Sequence, residues 1–221
     1  MKKKVLILFA GLSGESQKWE NVDITAVEIN KSVAAILQDK NPTYKVINGN
    51  AKDYLEKHYK EFEFIWGSPP CPTHSKIRLM GTKNNSYEAI MPDMELYSYI
   101  IFLKHYFKGK WVIENVNSYY KPLIKPTVLL DRHYFWSNFS IPEKRFEGFA
   151  KGVIKKGHHK ELQKLKGISI EGYEVKGRRK DSILRSYVNP KIGEYIFNCA
   201  FKTKQMTIGE EFQKENKKTE D

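Results

Sequence analysis

Val5-Leu6-Ile7-Leu8-Phe9-Ala10-Gly11-Leu12-Ser13-Gly14 is the stretch that decides the fold. Lys4 to Phe9 is a short apolar run rich in Val, Ile and Leu, so it reads as a buried strand. Gly11 to Gly14 then reads as a turn. The same rhythm repeats downstream. Ile24 to Glu28 is a second strand, and Asn30 caps a helix over Lys31 to Lys40 that Pro42 ends. Tyr44 to Ile47 is a third strand and Asp53 to Tyr59 a helix. Phe62 to Trp66 is a fourth strand, running into Gly67-Ser68-Pro69-Pro70. Pro92 to Tyr106 fits a helix and Trp111 to Ile113 a fifth strand. Alternating strand and helix predicts an α/β fold, a mostly parallel sheet with helices on both faces.

The rhythm stops near residue 140. From Pro142 to Lys191 there are 14 Lys or Arg and 6 Asp or Glu, so this segment holds +8 of the chain's +12. Glycines at 148, 152, 157, 167, 172 and 177 interrupt it, which predicts a small, irregular, loop-rich unit. An apolar helical pattern returns at Ile192 to Phe201. The reading divides the chain into residues 1–141, a basic segment at 142–185, a return at 186–208 and a disordered tail at 209–221. Such a charge balance suits a polyanionic partner, of which nucleic acid is the usual one.

Other classes are disfavoured. The apolar run near the start has six residues against the ~20 a membrane span needs. Met1-Lys2-Lys3-Lys4 imitates a signal peptide, but the apolar stretch breaks at Gly11, so none is expected. Cys71 and Cys199 make no disulfide framework, and a reducing cytoplasm is the expected setting. They also offer no zinc spacing with six histidines, so no metal is expected. No Gly-x-x-x-x-Gly-Lys-Ser/Thr loop is present, which argues against a nucleoside triphosphatase.

Four places carry chemistry. Glycines 11 and 14 at the carboxyl end of the first strand let a ligand approach free backbone amides. Glu28, ending the second strand, suits two ribose hydroxyls of an adenosine. Cys71 follows two prolines in a loop at the carboxyl edge of the sheet. Facing a basic cleft there, its thiol is expected to have a lowered pKa and to act as a nucleophile. Glu114, read as following a buried strand, is costly there unless used or paired. His74, three residues after Cys71, is the one candidate base for a Cys-His hydrolase. Cys199 reads as a core residue.

In order, Phe9-Ala-Gly-Leu-Ser-Gly14, Glu28, Gly49-Asn50, Pro69-Pro70-Cys71 and Glu114-Asn115-Val116 resemble the cytosine-C5 methyltransferases. The compact form and Arg132-His133-Tyr134-Phe135-Trp136-Ser137 look like small phage or prophage members. The resemblance implies a Rossmann-like S-adenosylmethionine-dependent methyltransferase fold. It implies a cofactor pocket lined by Phe9, Gly11, Leu12, Ser13, Gly14, Ile29 and Pro69, with Glu28 on the ribose. The family's adenine-binding acid is Asn50 here, so Asn50 or Asp53 takes that role. Asn189-Pro190 with Gly193 resembles the late motif that returns to the cofactor, with Val188 where the family has Gly. Pro72 stands where the family often has Gln.

Cys71 matches the nucleophile that adds to carbon 6 of cytosine. Glu114 matches the acid on ring nitrogen 3, for which it must carry a proton, and Arg132 matches the arginine on the cytosine carbonyl. The base must leave the duplex to be reached. The implied partner is double-stranded DNA, with room for a cognate restriction enzyme. Two alternatives stand beside it: a tRNA cytosine-C5 methyltransferase, whose extra Cys-Phe-Thr motif is absent here, and a DNA-binding protein on a decayed scaffold.

Overall fold

The computed structural model describes residues 1–146 and 158–201. The tail expected at 209–221 and the basic pair Lys155-Lys156 lie outside the described residues. Seven strands form one sheet in the order β3-β2-β1-β4-β5-β7-β6. The first five are parallel: β1 (Lys3–Leu8), β2 (Val22–Glu28), β3 (Lys45–Asn48), β4 (Phe64–Gly67) and β5 (Lys110–Val116). β6 (Val128–Leu130) and β7 (His133–Ser137) add an antiparallel pair beyond β5. Strand order reverses between β1 and β4, which opens a crevice over their carboxyl ends, where open α/β sheets bind ligands.

Alternation along β1 sorts the core. Val5 and Ile7 face a cluster with Trp19, Phe64, Trp66 and, from helix α7 (Pro190–Phe201), Ile192, Ile196 and Phe197. Leu6 and Leu8 face the other way, onto Leu55 of α2 (Ala51–His58) and Ile100 and Leu103 of α4 (Glu95–Tyr106). α1 (Lys31–Lys40) begins at Asn30, whose side chain accepts from the Val33 amide, as read from sequence.

The sequence reading left out α3 (Lys76–Lys83), β6 and β7. It placed the fifth strand too short, so Glu114 lies inside β5 rather than after it. Among the described residues of the basic segment there are two helices, α5 (His159–Lys166) and α6 (Lys180–Arg185). The intervening glycines 167, 172 and 177 take positive φ, which suits only tight turns. Leu162, Ile170, Ile183, Leu184 and Tyr187 pack on Leu12 and on Val33 and Ile36 of α1. This small cluster holds the basic segment beside the cofactor-side helix.

Candidate active site

The turn after β1 is built from left-handed residues: φ is +58° at Phe9, +52° at Gly11 and +52° at Ser13. A Cβ at Gly11 would meet Ser186 Oγ at 3.7 Å, an ordinary van der Waals contact, so residue 186 packs beside this turn. Gly14 differs. A Cβ there would sit 2.2 Å from the Val188 carbonyl oxygen, so residues 187–188 lie directly on the turn. Asn189 is buried and caps α7 through its side chain, which accepts from the Lys191 amide at 3.0 Å.

Glu28 is 4% exposed. Its Oε2 accepts from the Gly11 amide at 2.9 Å and its Oε1 from the Asn30 amide at 2.8 Å. Each oxygen keeps a second acceptor site, the pattern a pair of vicinal hydroxyls requires. Ile29 beside it is 69% exposed, an apolar side chain at the rim of the crevice. Asn50 caps α2, its Oδ1 accepting from Lys52 and Asp53 amides at 2.8 and 3.3 Å. That oxygen is engaged, so Asn50 has its amide nitrogen to offer, while Asp53 is exposed one turn into the helix.

Cys71 is partly buried in the loop after β4. Asn115, 1% exposed on β5, fixes this loop: its Nδ2 donates to the Pro69 carbonyl at 3.0 Å. Pro69 is buried beneath it. Glu114 is buried, with His133 Nε2 at 3.6 Å from its Oε1 across the β5–β7 pair. The thiol pKa is raised, not lowered as the sequence predicts. Burial, and then the Glu114 carboxylate, push the Cys71 thiol up to about 11, while Arg178 of the basic segment acts the other way. A basic chain does not make a basic site: the nearest strong field at the sulfur is negative. Alkylation of Cys71 by iodoacetamide should therefore climb about tenfold per pH unit from pH 7 to 9 without levelling, since only the thiolate reacts. Peptide-resolved mass spectrometry reads this; a plateau below pH 8 would contradict it.

His74 is buried, and its Nε2 has no hydrogen-bond partner. Its Nδ1 pairs with the Tyr120 hydroxyl at 2.6 Å, and burial pushes its pKa down. Arg132 occupies the turn between β6 and β7, exposed, its carbonyl accepting from the Asn117 amide at 2.9 Å. Sequence reasoning missed Lys166. It is half-buried at the end of α5, and its Nζ donates to the Tyr187 carbonyl at 2.6 Å. Burial and neighbouring Arg132 push it down to about 8, against the pull of Glu114. No signal in the sequence separates Lys166 from the other lysines of its segment. Among the described residues, no group of three or more His, Cys, Asp or Glu is placed to hold a metal ion, and no helix is long and apolar enough to cross a membrane.

The sheet order, the glycine turn after β1 and the carboxylate ending β2 define a Rossmann-like methyltransferase fold. The family model of the C-5 cytosine-specific DNA methylases matches residues 4–125, and the chain belongs to that family. No curated protein matches. Among solved structures, the chain is similar to the Entamoeba histolytica methyltransferase EhMeth. The two share 13% identity over 91% of this chain and 98% of that one, at a TM-score of 0.51. It is also similar to a mutant of Spodoptera frugiperda DNMT2, at 18% identity over 70% of this chain and 56% of that one, TM-score 0.41.

Proposed function

We propose that this chain is an S-adenosylmethionine-dependent DNA cytosine-C5 methyltransferase. The observation that carries the reading is the juxtaposition at the crevice: Cys71 after β4, Glu114 in adjacent β5, and the Asn115–Pro69 hydrogen bond tying the two together. The cofactor's fit rests on the turn after β1. Gly11 turns the chain sharply at the strand end with a φ of +52°, Glu28 has a free acceptor site on each oxygen, and exposed Ile29 would offer an apolar face to adenine. When bound, S-adenosylmethionine supplies an electrophilic methyl group; the protein supplies the rest.

Carbon 5 of cytosine is a poor nucleophile until carbon 6 carries a substituent. The Cys71 sulfur forms a bond to carbon 6 as ring nitrogen 3 takes a proton through Glu114, and carbon 5 becomes enamine-like. After methyl transfer, carbon 5 gives its proton to solvent water, the carbon–sulfur bond breaks with its electron pair leaving on sulfur, and nitrogen 3 returns its proton through Glu114 to that thiolate. The raised thiol pKa fits this sequence. At rest the thiol keeps its proton, because burial and then the nearby Glu114 disfavour the thiolate. The reaction needs a proton on nitrogen 3 and none on sulfur, so moving it through Glu114 supplies both changes together. Arg132 would contact the cytosine carbonyl. Residues 142–185 would serve as target-recognition segment, offsetting the few kcal/mol of base flipping with phosphate contacts.

The test is methyl transfer from labelled S-adenosylmethionine to unmethylated duplex DNA and to tRNA in competition, followed by nucleoside identification. Labelled 5-methyldeoxycytidine is the expected product. Label confined to tRNA would move the substrate to RNA. Tight DNA binding with no label in either would favour a binding protein on this scaffold.

A further inference from the structure

His74 is 1% exposed, three residues past Cys71, and the reaction described above makes no use of it. Its Nδ1 lies 2.6 Å from the Tyr120 hydroxyl, and its Nε2 is buried with no hydrogen-bond partner. A buried polar atom left unmet is costly, so other bonds must hold the ring in place. Burial pushes its pKa down against the pull of Asp93, so the ring is neutral near neutral pH. A neutral imidazole has one N–H to give. The tautomer that avoids a buried, unmet N–H puts that proton on Nδ1, where the Tyr120 oxygen accepts it, and leaves only a lone pair at Nε2.

That bond bears on the loop that carries Cys71, which is tied at both ends to β5 and to the segment leaving it. In front, the Asn115 side chain donates to the Pro69 carbonyl at 3.0 Å. Behind, the His74 amide donates to the Cys71 carbonyl at 3.0 Å and the Tyr119 amide donates to the His74 carbonyl at 3.1 Å. Ser75 and Ser118 form an antiparallel bridge beside them. The His74 ring adds a side-chain tie one residue further on, at Tyr120. The receiving segment is itself fixed. The Asn117 amide donates to the Arg132 carbonyl at 2.9 Å, and the Ser118 hydroxyl donates to the Tyr120 carbonyl at 2.6 Å.

We propose that His74 is a positioning residue: by bonding Tyr120 it keeps the far end of the Cys71 loop on the segment leaving β5, and so keeps Cys71 in register with Glu114. This rests on the reading of Cys71 as the nucleophile. Nδ1 carries the role and Nε2 has no part in it. Without the bond the far end of the loop lifts. The thiol then gains solvent and leaves the neighbourhood of Glu114. A small electrophile should find the sulfur more easily, while a cytosine that needs both groups at once should react more slowly. The two effects have opposite signs, which a general loss of structure does not produce.

The test is peptide-resolved iodoacetamide alkylation of the full chain at pH 8, with no DNA or cofactor added, beside methyl transfer to duplex DNA. Tyr120→Phe removes the hydroxyl, and His74→Gln removes the donor at Nδ1. Each should raise the alkylation rate of Cys71 about tenfold and lower kcat for methyl transfer about tenfold, with S-adenosylhomocysteine affinity unchanged. The rate at Cys199 should not move, which separates a lifted loop from a loosened fold. His74→Asn, whose amide nitrogen can take the place of Nδ1, should bring both rates back close to wild type. The double variant Tyr120→Phe with His74→Gln should be no worse than either alone, since both break the same bond. Should His74→Gln fail to fold, Tyr120→Phe carries the same comparison. Unchanged Cys71 alkylation in Tyr120→Phe, Cys199 rising in step with Cys71, or His74→Asn as reactive as His74→Gln overturns the assignment. A wild type that transfers no methyl group overturns the functional reading instead, and the alkylation rates still decide whether His74 holds the loop.

Discussion

Cys71→Ser should reduce methyl transfer to duplex DNA by about three orders of magnitude or more while leaving cofactor affinity and melting temperature close to wild type. A hydroxyl is a far weaker nucleophile than a thiolate, and the whole activation of carbon 5 depends on that bond. The site makes the demand sharper. The sulfur is already held as a thiol by burial and by Glu114, so at neutral pH it adds to carbon 6 as its proton is taken up by the substrate ring. A serine in the same field would be harder still to ionise. The companion observation uses duplex DNA bearing 5-fluorocytosine, whose carbon 5 has no proton to lose. Wild type should stay covalently attached and Cys71→Ser should not. Cys199→Ser, far along α7, should behave as wild type in both assays. Full-rate transfer by Cys71→Ser would remove covalent catalysis from the mechanism.

What the sequence made legible was the parallel half of the sheet. Hydrophobic runs bounded by Gly, Asn and Pro mark β1 to β4 within a residue or two, because buried parallel strands must be apolar on both faces. The Asn30 cap and the Pro42 stop were equally readable, since each acts locally. Legibility failed where structure depends on partners distant in sequence. β6 has only three residues and β7 begins and ends on polar ones, and they form a strand pair only because β5 offers an edge. α3 has no buried residue to produce a periodic pattern.

The candidate site divides along the same line. Glycine turns and strand-end acids were visible because ligand access at a strand end has a local signature. The field at Cys71 was not, because it is set by Glu114 from another strand, and the chain's overall +12 pointed to the opposite sign. Lys166 gave no signal: it is an ordinary charged residue in sequence, and only packing against the 185–187 carbonyls makes it unusual.

Gly193→Ala should be the most destabilising small substitution in the described chain, by about 3 kcal/mol or more. The added Cβ would lie 2.0 Å from the Glu15 carbonyl oxygen and 2.5 Å from its carbonyl carbon and Cα. These are backbone atoms of a turn that cannot swing aside. Alanine's better helix propensity recovers only about 1 kcal/mol. To relieve the contact α7 must lift, which strains the Trp19 Nε1 bond to the Gly193 carbonyl at 3.0 Å and loosens Ile192, Ile196 and Phe197 from the core. For a chain of this size the loss corresponds to a melting temperature lower by roughly 6–12 °C. Gly49→Ala is the control: its Cβ would find its nearest neighbour, Ile47 Cγ2, at 3.7 Å, and it should melt within about 2 °C of wild type. Melting of Gly193→Ala alongside that control would mean the turn is free to yield. If it is not, the consequence reaches function. The helix that ends the described chain sets the position of the turn that begins the cofactor crevice. Any residual folded Gly193→Ala should then bind S-adenosylhomocysteine more weakly than the control, because the Gly14–Ser16 turn has lost the backstop that holds it.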